Sequence, residues 1–177
     1  MFKELNKLKI KENIFKKDLM IILKSLAKTI SIHDLIMATV FLREDGKYVQ
    51  KSYREGFLEI YIKYFILRIK DVKEDETEYI ESIEKEELSG AIDLLEFQFN
   101  NEVLYTNETE KFPLIYMIIC LYTTFILEEP IHPVGTPFPG SLKVSYENGT
   151  YFCPVKEKQS DNPYAVCKLC KAEQEDF

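Results

Sequence analysis

At Pro130 this chain changes character, and the change limits what it can fold into. Before that point apolar residues recur at three- and four-residue steps with few helix breakers, whereas six of the seven prolines and three of the six glycines lie from Pro130 onward. Helical periodicity followed by turn chemistry implies two unlike parts. We expect a mainly α protein: a bundle of about five helices over residues 1–129, then a proline-rich loop, a β-hairpin and a short C-terminal helix over 130–177. These last elements form a small zinc-binding module packed on the bundle. With 177 residues, 46% of them hydrophobic and 23 aromatic, the chain can fill a sizeable core.

The helical part divides at its punctuation. Leu8, Phe15, Leu19, Leu23, Leu26 and Ile30 recur with lysines between them, which predicts one or two amphipathic helices. Residues 1–30 hold eight lysines against three acids, so this is the one basic face of a chain whose net charge is −7. A packed helix with a solvated lysine face explains it better than a lipid or nucleic-acid surface. Ser31 is a cap candidate for a helix ending at Asp45-Gly46, with His33 a surface or capping residue in its first turn. Val49 to Val72 predicts a long helix whose stripe of Tyr53, Phe57, Tyr61, Tyr64 and Phe65 belongs to the core. Ile80, Ile83, Leu88, Ile92, Leu95 and Phe99 mark a further helical segment, on which Asp93 and Glu96 are surface acids. Pro113 suits the first turn of an apolar helix running to about Leu127, with Cys120 packed in its middle.

Several classes are excluded. The apolar run from Phe112 to Leu127 falls short of the roughly 20 residues needed to span hydrocarbon, so no membrane span is expected. Met1–Ile30 lacks the uninterrupted apolar run of a secretory signal, which favours the cytoplasm. Thiols there stay reduced, so disulfides are a poor use for the four cysteines. Phosphate-cradling glycine loops and nicotinamide fingerprints are absent. The abundance of Lys and Glu suits a thermophile that uses surface ion pairs.

Three cysteines in the last 25 residues carry the chemistry. Asn148-Gly149 is a two-residue hairpin signal, because a type I′ turn needs positive φ at both positions. Pairing Glu147 with Thr150 sets Tyr146 opposite Tyr151, Val144 opposite Cys153 and Leu142 opposite Val155, with the Cys153 sulfur on the apolar side. Asn162 and Pro163 then read as the cap and first residue of a helix projecting Cys167 and Cys170 from one side. Two thiolates one turn apart can reach a single zinc ion at about 2.3 Å. Lys156 stands where many zinc knuckles place another cysteine, which leaves His132, Cys120 or water as fourth ligand. His132 is favoured because the loop from His132 to Gly140 is stiffened by its prolines, whose X-Pro bonds admit a cis form. The metal set is therefore His132, Cys153, Cys167 and Cys170. Zinc leads; an iron–sulfur cluster, an open catalytic zinc and unligated or redox thiols are alternatives.

Over His132 to Gly140, Tyr151 to Lys156 and Asp161 to Gln174 the chain resembles an archaeal family, uncharacterised protein family 0305 or domain of unknown function 2115, found largely in methanogens. The resemblance implies a methanogenic archaeal source, supports those four residues as a set, and carries no reaction over.

Two functions compete. One is an interaction or scaffolding protein whose zinc-stabilised module docks a protein partner. Nucleic acid is disfavoured there, since Lys143, Lys156, Lys158, Lys168 and Lys171 meet six acids between Glu147 and Asp176. The other is a metal-dependent or redox enzyme of methanogen metabolism using an open Cys/His site, an iron–sulfur cluster or an oxidisable Cys167/Cys170 pair.

Overall fold

The structure, a computed structural model, describes residues 2–46, 49–101 and 111–175; six α-helices carry most of them. Helix α1 (Phe2–Lys9) buries Leu5 and Leu8 and lies against α5 (Lys85–Asn100). Helix α2 (Lys16–Ala27) buries Leu19, Leu23 and Ala27 at four-residue spacing, which lines one face for α4 (Lys51–Glu74) and α6 (Phe112–Leu121). Helix α3 (Ile32–Asp45) starts where expected: Asp34 N–H donates to Ser31 Oγ across 3.2 Å, and Ser31 N–H donates back to the Asp34 carboxylate across 2.7 Å.

The centre of the molecule is α6. It buries residues round its whole circumference, including Ile115, Met117, Ile118, Cys120 and Leu121, and it contacts α2, α3, α4 and α5. Each such side chain is worth roughly 1.5–3 kcal/mol when removed from water. The helix continues to Ile126, near the expected end, but its last turn, Tyr122–Ile126, is a π-turn in which Leu127 N–H donates to the Tyr122 carbonyl. Lys16 closes that end. Its buried ammonium donates to the Ile126 carbonyl and pairs with Glu128, each across 3.0 Å. The lysine face of the N-terminal stretch is thus not wholly solvated.

Two stretches depart from the helical pattern. Ile14–Phe15 (β1) pairs antiparallel with Ser82–Ile83 (β2), separating α1 from α2 and delaying α5 until Lys85. Ile80 and Ile83, expected on that helix, lie outside it: Ile83 is buried by the strand pair and Ile80 is left exposed. Among the described residues no helix is long and apolar enough to cross a membrane.

Beyond Pro130 the chain forms short strands. Pro137–Phe138 (β3) pairs with Leu142–Lys143 (β4), and Ser145–Glu147 (β5) with Thr150–Cys153 (β6). The hairpin has the expected register, Glu147 opposite Thr150 and Tyr146 opposite Tyr151, with Asn148 and Gly149 at φ 50° and 88°. It ends at Ser145 opposite Phe152, so the expected pairs Val144 with Cys153 and Leu142 with Val155 do not form: the Val144 backbone bonds the loop instead, through Gly135 N–H to the Val144 carbonyl and Val144 N–H to the Thr136 carbonyl, and Leu142 faces Phe138. Every described peptide bond is trans.

The expected C-terminal helix is not there. Residues 161–170 make separate turns, closed by Ala165 N–H to Asn162, Leu169 N–H to Val166 and Cys170 N–H to Cys167 carbonyls. Asn162 does cap, its side chain accepting from Tyr164 N–H, but the helix does not propagate. The buried amide of Gln98 on α5 donates to the carbonyls of Pro163 and Ala165, acceptors that a helix would have used for its own ladder. Val166 is drawn into the main core, and the chain returns as Glu173–Gln174 (β7), parallel to β6.

Candidate functional site

Cys153 and Cys170 meet at a strand clip, with Cys167 one turn before Cys170. Cys153 ends β6, and β7 runs beside it with Gln174 as its pair. Cys153 and Cys170 share a small apolar cluster with Val144 and Ala172, apart from the main core. The backbone N–H groups of Val155 and Lys156 favour the Cys153 thiolate. Two successive backbone donors aimed at one atom form a concavity suited to an anion, here a thiolate. Cys167 and Cys170 occupy the ends of one turn, with Cys170 N–H 3.2 Å from the Cys167 carbonyl.

The electrostatics of the thiols follow from this crowding. Burial pushes the Cys167 thiol up to about 11, with the charges of Cys170 and Cys153 adding to it and Lys156 opposing. Burial also raises Cys153, Cys170 again adding, against the two N–H donors and Lys156. Cys120, in the middle of α6, is raised by burial, and it too feels Cys170. Cys170 therefore lies within electrostatic reach of the other three sulfurs. Such thiols cannot all ionise without a cation among them. As they stand, no group of three or more His, Cys, Asp or Glu among the described residues is arranged to hold a metal ion.

Lys156 has a role that residue spacing did not suggest. Read from sequence it occupies the place of a missing cysteine; in the fold its ammonium donates to the carbonyls of Cys170, across 3.0 Å, and of Ala172. It ties the returning chain to the turn after Cys153. Gln98 is the second such residue, and no local pattern marks a glutamine on an apolar helix face as an anchor for a loop far along the chain.

His132 is placed elsewhere, in the wall of a cavity of about 360 Å³. Its ring packs against Phe57 at 5.8 Å, Tyr61 at 5.3 Å and, edge on, Phe138 at 5.6 Å between centroids. Helices α3 and α6 add Phe41, Phe112 and Tyr116, and Tyr164 reaches in from the loop that Gln98 holds. Burial lowers the imidazole to about 4, so the ring is neutral near pH 7. The aromatic stripe expected to be core thus has one part, Phe57 and Tyr61, facing a cavity. His33 is exposed on α3, Asp93 pairs with Lys9 and Glu96 accepts from Asn6, which leaves the acids in surface contacts.

A helical body closed by a cysteine-bearing strand clip is the class of protein these features define. The chain belongs to the archaeal family described as an uncharacterized protein conserved in archaea, DUF2115, which it matches over residues 15–175. Among its relatives are two UPF0305 proteins of Methanothermobacter thermautotrophicus. One is 37% identical over 148 residues, covering 84% of this chain and 89% of the relative; the other is 32% identical over 157 residues, covering 88% and 94%. A UPF0305 protein of Methanocaldococcus jannaschii is 33% identical over 150 residues, covering 84% and 89%. No solved structure matches the chain.

Proposed function

We propose that Cys153, Cys167 and Cys170 bind a structural zinc ion that staples the segment from Pro130 onward to the helical body, and that the stapled segment docks a protein partner. The observation that carries this reading is the meeting of Cys153 and Cys170 in one small cluster, with Cys167 at the other end of the turn that Cys170 closes. A dication bound there would offset the burial that raises these thiols and the mutual repulsion that adds to it. For the fourth position the placement favours Cys120, which feels Cys170, over His132, whose ring contacts lie with Phe57, Tyr61 and Phe138. A protein partner is preferred to nucleic acid because Lys156 is consumed internally and Lys171 is paired with Glu87.

Metal analysis and an absorption spectrum of anaerobically purified protein test the ion. One tightly held, colourless zinc per chain, lost in Cys153→Ser and Cys167→Ser, supports the staple. A brown chromophore, or zinc that leaves without loosening residues 130–175, overturns it. Stoichiometry in Cys120→Ser against His132→Phe decides the fourth ligand. For the partner, binding to DNA or RNA that weakens steeply with salt would rule against protein docking.

A further inference from the structure

The cavity beside His132 is separate from the thiol clip, and its chemistry does not depend on a metal being bound. We propose that it is a binding site for an uncharged, planar, two-ring aromatic or heteroaromatic molecule bearing one hydroxyl, carbonyl or ring nitrogen at its edge.

Size sets the first limit. An apolar cavity of about 150 Å³ holds benzene; at about 360 Å³ this one has room for a second ring. The wall sets the second. Phe41, Phe57, Tyr61, Phe112 and Tyr116 supply ring surface, and no charged side chain among the described residues lines it. A charged guest would lose its hydration without meeting a counter-charge. Aromatic cages do attract organic cations, but among the described residues no carboxylate lines this one.

The third limit is the polar handle. His132 forms no hydrogen bond with any described residue, its partners being ring contacts, and the part-buried ring lines the cavity. A neutral imidazole carries one donor and one acceptor nitrogen. Polar groups in such surroundings are ordinarily paired, and a single hydroxyl, carbonyl or ring nitrogen on the guest would pair this one. The imidazole plane is held by three rings and by a loop rich in proline, so the handle is fixed before a guest arrives. Tyr164, more than half exposed while also lining the cavity, forms its outer rim. A guest would therefore lie at the seam between the bundle and the C-terminal segment.

The test uses the full chain with 2-naphthol, naphthalene and tetramethylammonium as probes. The protein has two histidines, so nitrogen-15 spectra of the imidazoles separate His132 from the exposed His33 without further labelling. We expect 2-naphthol to shift the His132 ring nitrogens and leave those of His33 in place. By calorimetry, His132→Phe should weaken 2-naphthol about three- to tenfold, the worth of one hydrogen bond, and leave naphthalene unchanged, while Leu58→Trp, filling the α4 wall, should abolish both. Unmoved His132 nitrogens in the wild-type protein overturn the proposal whatever the variants do. Equal weakening of both naphthalenes by His132→Phe, or tighter binding of tetramethylammonium than of 2-naphthol, overturns it as well.

Discussion

Gln98 Nε2 lies 3.1 Å from the carbonyl oxygen of Pro163 and donates to it from the last turn of α5, with a longer bond to Ala165. The amide is fully buried and its own oxygen has no partner, so the contact is maintained at some cost in desolvation. It decides the path of the chain into the Cys167 turn.

Replacing Gln98 by Leu should therefore cost about 1–3 kcal/mol, since two carbonyls lose their donor. Hydrogen exchange should quicken first at residues 164–170 and only later in the helices. An even loss of protection across the chain would show that Gln98 acts as core filler and not as an anchor.

Lys16 closes the π-turn after α6 by bonding Ile126 and pairing with Glu128. Lys16→Met keeps most of the buried stem but strands the Ile126 carbonyl, and denaturant melts should show a loss of about 1–3 kcal/mol. A change below about 0.5 kcal/mol would mean that water replaces the ammonium there.

The neutral His132 makes stability depend on pH. Folding lowers the imidazole from 6.5 to about 4, so between those values the unfolded chain binds more protons than the folded one. Stability is fully present above about 6.5 and falls as pH drops toward 4, by at most about 3 kcal/mol. The carboxyls of Asp18, Asp34 and Asp75, lowered from 3.8, titrate beneath this window. Unfolding curves at pH 4.5, 5.5 and 7 should slope for the wild type and flatten for His132→Phe; parallel slopes would place the titrating group elsewhere.

Lys156→Met removes the ammonium shared by the carbonyls of Cys170 and Ala172. Exchange at the amides that pair β7 with β6 should rise at least about tenfold, corresponding to the roughly 1.4 kcal/mol or more expected of charge-assisted bonds. The β5–β6 hairpin, held by its own turn, should be unchanged.

Much of this fold is legible in the residues, because its helices are set by local rules. Ser31 and Asp34 cap where short polar side chains can, Pro113 sits in a first turn, and Asn148-Gly149 dictates a turn that fixes the register of Tyr146 against Tyr151. What departs from those rules depends on distant competition. Ile83 has the spacing of a helix and is claimed by β1; Asn162 and Pro163 have the chemistry of a helix start, and Gln98 takes the carbonyls. The candidate site divides the same way. Cys153, Cys167 and Cys170 announce themselves by type and spacing, whereas the use of Lys156 as a tie and the opening of Phe57 and Tyr61 onto a cavity arise only when segments far apart in sequence are brought together.

The parallel pairing of β7 with β6 has a consequence in time. The hairpin turns on two residues and can close in about 1–10 μs, while its third strand lies about twenty residues further along and must wait for an intervening excursion to be laid down. Cys170 therefore reaches Cys153 late in the order of events. A chain whose clip is closed is one whose bundle has already formed, since the excursion is laid on Gln98 and the core that receives Val166. Closure of the clip is a record of completed folding.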